Sequence, residues 1–292
     1  MDLGADRRGV DMGPSAIRYA DLNEKLEAQG HEVRDLGDLD VIIPETQHYG
    51  DPHAKYLKEI VDACSQLANL VLKISQEGGT PLVLGGDHSI AMGTVSGMSE
   101  SFRLRGKKIG LIWFDAHADM NTPEISPSGN VHGMPMAAIL GYGPKELTHI
   151  FDFAPKIEPQ HVAMIGIREV DRLERELVKK SGVRVFTMKE IDRRGIGTVM
   201  DEAISIVTNG TDGFSATLDA DFLDPGESPG VATPVRGGAD YREAHLAMEL
   251  MADTKKMVSF EITEINPILD EHNKTAHFGT ELILSAFGKE IL

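Results

Sequence analysis

The chain has a single cysteine, Cys64, among its 292 residues. One thiol cannot build a disulfide framework, and it rules out a thiolate-rich metal site. No apolar run approaches the length that crosses a bilayer, and Met1-Asp-Leu-Gly lacks the character of a signal peptide, so a cytoplasmic location is expected. Positive charge is also scarce: 29 Lys and Arg stand against 46 Asp and Glu, a formal net charge of −17. Such a surface repels nucleic acid and anionic membranes, which are therefore not expected as partners, and it draws cations. Internal repeats and low-complexity tracts are absent, which excludes solenoids and disordered scaffolds.

What is present is an alternation of short apolar runs with helical stretches. The pattern predicts an α/β fold: one domain over residues 1–292, three layers (α/β/α), and a mostly parallel central sheet. Strands are expected at Pro81 to Leu84, Ile109 to Phe114, Phe214 to Leu218 and Met257 to Thr263. Leu57, Ile60, Val61, Cys64, Leu67, Ala68 and Val71 recur at helical spacing, so Cys64 belongs on the buried face of an amphipathic helix. A second helix opens at Tyr241, with Ala244, Leu246, Ala247, Leu250 and Met251 as its apolar positions. Loops are marked at Ile43 to Asp51, Pro123 to Met134 and Asp224 to Gly238.

The chemistry-bearing residues follow three of those apolar runs: His88, then Asp115, His117 and Asp119, then Asp219 and Asp221. Ligand sites in open α/β sheets lie beyond the carboxyl ends of strands, so the three loops can converge there. A spacing of two on extended backbone would aim Asp115, His117 and Asp119 the same way, and Asp219 with Asp221 likewise. Four carboxylates carry a charge of about −4, which two divalent ions balance. A carboxylate-rich set with one imidazole per ion favours Mn²⁺, with Fe²⁺, Co²⁺ or Zn²⁺ as alternatives. A water bridging the two ions would have a lowered pKa and serve as a hydroxide nucleophile.

Three segments, Gly85-Gly-Asp-His-Ser89, Asp115-Ala-His-Ala-Asp119 and Leu218-Asp-Ala-Asp-Phe-Leu-Asp-Pro225, resemble the metal signatures of the ureohydrolases, the arginase and agmatinase family. Arg8-Gly-Val-Asp-Met-Gly-Pro-Ser-Ala16, Ser126-Pro-Ser-Gly-Asn-Val-His-Gly-Met-Pro135 and Glu264-Ile-Asn-Pro267 extend the likeness, on the arginase side, to nearly the whole chain. The resemblance implies hydrolysis of L-arginine to L-ornithine and urea, with two Mn²⁺ per subunit held by His88, Asp115, His117, Asp119, Asp219 and Asp221. It also implies that Asn121, Ser128 and Asn130 contact the substrate's α-carboxylate and Asp171 its α-amino group, while Thr233 lines the pocket. Glu264 pairs with the guanidinium, Asp119 carries a proton to the leaving amine, and His132 is the proton shuttle. Arg242 and Glu243 match a segment of subunit contacts, so a homotrimer or homohexamer is expected. Agmatinase or another guanidino hydrolase is the alternative, and a catalytically silent metal-binding scaffold a remote one.

Two departures from the family pattern carry expectations of their own. Relatives have an apolar strand just ahead of the Met-Asp-Leu-Gly segment; its loss from the inside of the sheet would orphan two neighbouring strands, and the true start is expected upstream of Met1. Phe222 stands where relatives often have a smaller residue, and it is expected to narrow the pocket rim.

Overall fold

The structure is a computed structural model and describes residues 1–289. Two short strands, β1 (Gly50–Asp51) and β2 (Ala54–Lys55), pair antiparallel at the end of the first expected loop and just beyond it, after a 3₁₀ turn at Pro44–Thr46. The other six are β3 (Leu82–Leu84), β4 (Gly110–Phe114), β5 (Val162–Ile167), β6 (Arg184–Thr187), β7 (Phe214–Asp219) and β8 (Met257–Thr263). They form one wholly parallel sheet in the order β3-β8-β7-β4-β5-β6. Parallel pairing needs a crossover between strands, and the helices supply it while covering both faces.

Every residue of β4, β5 and β7 is buried, which explains why they read as unbroken apolar runs rather than alternating ones. Their side chains still alternate between two cores. Ile112, Phe114, Ala216 and Leu218 pack with the helices Ile196–Thr208, Tyr241–Asp253 and Lys274–Ala286. Leu111, Trp113 and Met164 pack with the helices Leu57–Gln76 and Ala91–Arg103. These last two helices touch closely because the second carries glycine at the crossing. A Cβ at Gly97 would lie 2.5 Å from the Ala68 carbonyl oxygen, and one at Gly93 2.7 Å from that of Cys64. Cys64 is buried on this seam as its spacing requires, its thiol donating to the Ser89 carbonyl at 3.3 Å.

Register decides where the site sits. Phe114 lies opposite Leu218, Leu218 opposite Ile262, and Ile262 opposite Leu84. One residue beyond that row come Asp115, Asp219, Thr263 and Gly85, so four strands scattered along the chain end at one edge of the sheet.

Among the described residues the six strands are contiguous, and β3, half-buried along its length, keeps one open side. The N-terminal segment is tied to the loop after β3: the Asp87 amide donates to the Met1 carbonyl at 2.8 Å, and the Gly4 amide to Asp87 Oδ2 at 3.1 Å.

Candidate active site and metal centre

The ligand segments leave their strands as turns, not as the extended backbone expected from their spacing. Asp115 Oδ1 accepts the His117 amide at 2.6 Å, and Asp219 Oδ1 accepts the Asp221 amide at 2.8 Å. Asp119 has φ of 50°, in the left-handed region. The cause is local: an aspartate oxygen at a strand end captures the backbone N–H two residues on, which curls the chain and turns its other oxygen toward His88. The side chains converge all the same. His88 Nδ1 lies 3.1 Å from Asp115 Oδ2, 3.1 Å from Asp219 Oδ2 and 3.3 Å from Asp119 Oδ2. His117 Nδ1 lies 2.9 Å from Asp221 Oδ2 and 3.5 Å from Asp115 Oδ1.

Two donor sets result, His88 with Asp115 and Asp219, and Asp115 with His117 and Asp221; within each, the donor atoms lie within 4.8 Å of one another. Asp115 belongs to both. It is anchored from behind by Trp113, whose indole N–H donates to Asp115 Oδ2 at 2.9 Å and whose ring stacks on His88 at 4.0 Å.

Above the donor sets opens a cleft of about 600 Å³, lined by His117, Asn130, His132 and Thr233 together with Asp6, Arg7, Glu169 and Arg236. Thr233 donates to Asp221 Oδ2 at 3.0 Å, and Glu264 Oε1 accepts both His132 Nδ1 at 3.1 Å and the His88 amide at 3.0 Å. Glu264 Oε2 is buried and has no hydrogen-bond partner among the described residues. Asn121, Ser128 and Asp171 do not line this cleft but stand beside it. Asn121 Nδ2 donates to Asp171 Oδ2 at 3.0 Å, and Ser128 Oγ accepts the Asn130 amide at 3.2 Å. A larger depression of about 780 Å³ against the helix Leu57–Gln76, near His149 and Asp152, holds none of the expected site residues.

This geometry agrees with the comparisons. The sequence profile of the arginase family matches residues 1–288. The chain is 51 % identical to the arginase of Brevibacillus brevis over 292 residues, all of this chain and 96 % of that protein. It is 48 % identical to the arginase of Bacillus caldovelox, covering 97 % of it. The chain belongs to the arginase family. The native crystal structure of the B. caldovelox arginase at pH 5.6 superposes with a TM-score of 0.96, covering all of this chain and 97 % of that one.

Electrostatics explain why this arginase-family site suits divalent ions. In their absence protons do the balancing. Burial works against charge on His88 and His117, yet the facing carboxylates outweigh it and hold both imidazoles well above their ordinary pKa. Burial and the charges of Asp221 and Asp115 raise Asp219 strongly; burial and Asp115 push Asp119 up to about 6. Asp115 stays below the usual carboxylate range because its hydrogen bonds to the two imidazoles outweigh burial. A cluster that must gather protons to exist is one that metal cations stabilise by replacing them.

Burial disfavours charge on His132, but the hydrogen bond and charge of Glu264 prevail and push it up to about 9. One expectation needs correcting. Phe222 does not narrow the rim, because it is fully buried under the metal loop with its ring 5.2 Å from that of Phe114. Burying an aromatic ring there removes far more apolar surface from water than the rim position allows.

Several site residues escaped the sequence. Lys55 Nζ donates to Asn130 Oδ1 at 2.9 Å. The Glu174 carboxylate accepts the amides of Met120 at 2.8 Å and Asp171 at 2.9 Å, joining the Asn121 and Asp171 segments; burial pushes it up to about 7. Arg168 donates to the carbonyls of Asp221 at 2.6 Å and Val235 at 2.8 Å, pinning a metal loop to the cleft wall. Lys55 had no signal at all, whereas Arg168 and Glu174 flank the one residue of that stretch, Asp171, that the resemblance marked.

Proposed function

We infer that this chain hydrolyses L-arginine to L-ornithine and urea, using two Mn²⁺ ions held by His88, Asp115, His117, Asp119, Asp219 and Asp221. The observation that carries this reading is Asp115 shared between two donor sets at the floor of the cleft. Each set has one imidazole among hard carboxylate oxygens, which is the basis for preferring Mn²⁺. When bound, the ions neutralise the carboxylates and supply a water of lowered pKa as nucleophile.

The chain's own groups do the rest. Glu264 offers its unpartnered buried oxygen to a planar cation, and a guanidinium satisfies it with a charge-assisted hydrogen bond. Asp119 takes the proton released by the attacking water and passes it to the departing amine. His132 is hydrogen-bonded to Glu264 and lines the cleft, so it can act as an acid toward the product side and be recharged from solvent. At the far end of the substrate, Asn121, Ser128 and Asn130 take the α-carboxylate and Asp171 the α-amino group, while Thr233 lines the wall. The oxygen of Asn130 is occupied by the Lys55 ammonium, which places a positive charge behind the carboxylate position. Agmatine has no group to use it.

We further propose a cytoplasmic homotrimer or homohexamer. Arg242 is exposed on the helix Tyr241–Asp253, reaching Glu249 at 3.3 Å, while Glu243 is engaged in a capping box with Asp240. Light scattering reads the subunit number directly. For the activity, urea release is measured from L-arginine and from agmatine, with and without Mn²⁺. Mn²⁺-dependent turnover of L-arginine is expected; equal or better turnover of agmatine makes the chain a different guanidino hydrolase, and no urea from either makes it a scaffold.

A further inference from the structure

A glutamate lies fully buried in the middle of the sheet with no Lys or Arg paired to it among the described residues. It is Glu261 on β8, and parallel register sets it directly opposite Thr217 on β7, which in turn lies opposite Trp113 on β4. Neighbours in register point to the same face, so Trp113, Thr217 and Glu261 form one row beneath the His88 ring. Glu261 Oε1 accepts the Thr217 hydroxyl at 2.9 Å, and its other oxygen accepts the hydroxyl of Thr94 from the covering helix. Thr217 Oγ1 lies 2.9 Å from His88 Nε2.

The polarity of this chain follows from counting protons. A threonine hydroxyl has one proton to give. With Glu261 ionised, Oε1 takes it, so Thr217 Oγ1 can only accept from His88, and Nε2 must carry the ring hydrogen. In the neutral ring Nδ1 is then the bare nitrogen, and Nδ1 is the atom facing Asp115, Asp119 and Asp219. Stacking on Trp113, with the planes 16° apart, fixes the ring plane.

We propose that Glu261, acting through Thr217, is a positioning residue that sets the tautomer of His88 so that Nδ1 is presented as a metal donor. This goes beyond the reaction assigned above and rests only on its metal site, not on the identity of the substrate. A fully buried carboxylate with no cationic partner carries a desolvation cost that an apolar side chain of similar length does not. Glu261 thus stands at a position where packing alone favours a hydrophobe.

The test is a Mn²⁺ titration by calorimetry of the wild type and of Glu261→Met, Thr217→Val and Thr217→Ser. Without the Glu261 acceptor, the Thr217 proton turns toward Nε2 and favours the wrong tautomer. Glu261→Met and Thr217→Val are expected to weaken one of the two Mn²⁺ equivalents by about 10- to 100-fold. Thr217→Ser, which keeps the hydroxyl, stays near wild type, and metal-free Glu261→Met melts no lower than wild type. Two Mn²⁺ bound at wild-type affinity by both Glu261→Met and Thr217→Val overturn the proposal, as does a Thr217→Ser loss as large as that of Thr217→Val. These readings stand whether or not L-arginine proves to be the substrate.

Discussion

Loading the site with metal must expel protons, and their number follows from the geometry. Without ions, His88 and His117 are held protonated by the carboxylates around them, and Asp219 is raised by burial and by its neighbours Asp221 and Asp115. Asp119, at about 6, is mostly ionised at pH 7. Metal ligation requires neutral imidazoles and ionised carboxylates, so filling both positions at pH 7 is expected to release about two protons from the imidazoles, with the raised carboxyls Asp219 and Asp119 adding to the count as pH falls. The sign is set by the raised pKa values: protons bound in the metal-free state compete with the ions, so affinity falls as pH falls. The overall constant for two ions then drops about a hundredfold from pH 8 to pH 7, roughly 3 kcal/mol. Calorimetric titration with Mn²⁺ in buffers of different ionisation enthalpy measures the proton count as the slope of apparent enthalpy. Release of one proton or none at pH 7 would refute the idea that the imidazoles are the counter-ions of the metal-free cluster.

Three other outcomes are expected. Glu264→Gln removes the charge that holds His132 at about 9, so the imidazole should titrate near its ordinary value by NMR, and kcat/KM should fall by about two orders of magnitude; an unmoved His132 contradicts the pairing. Lys55→Met frees the Asn130 amide oxygen and should raise the KM for L-arginine about tenfold with little change in kcat, an effect absent with agmatine. Gly97→Val drives a side chain into the Ala68 carbonyl and the Val71 side chain and should cost about 1–3 kcal/mol in urea denaturation; a loss below about 0.5 kcal/mol means the helices separate freely.

The strands were legible because parallel strands buried on both faces must be apolar throughout, and Met257 to Thr263 matches β8 end to end. The clustered donors His88, Asp115, His117, Asp219 and Asp221 were legible for a different reason: aspartate and histidine right after such runs have no packing purpose. Their backbone was not, since a periodicity of two describes a strand and each aspartate instead folds its own turn by capturing an amide. Phe222 was misplaced on the rim because it is contiguous with the ligands, and contiguity says nothing about which side of a loop is buried. Lys55, Thr217 and Glu261 act across 75, 129 and 44 positions of sequence, to Asn130, His88 and Thr217 respectively, and such contacts exist only once sheet order and register are known.

The strand order also dictates when the site can exist during synthesis. Asp115 and His117 follow β4, Asp221 follows β7, and those two strands are direct neighbours, so this donor set can close once residue 221 has emerged. His88 follows β3, whose sole sheet partner among the described residues is β8, the last of their strands to be made. The nascent chain therefore carries one complete donor set and one incomplete set until β8 has been translated, because non-local pairing has to wait for the partner strand. Completion of the second donor set thus reports that the six-stranded sheet has been assembled.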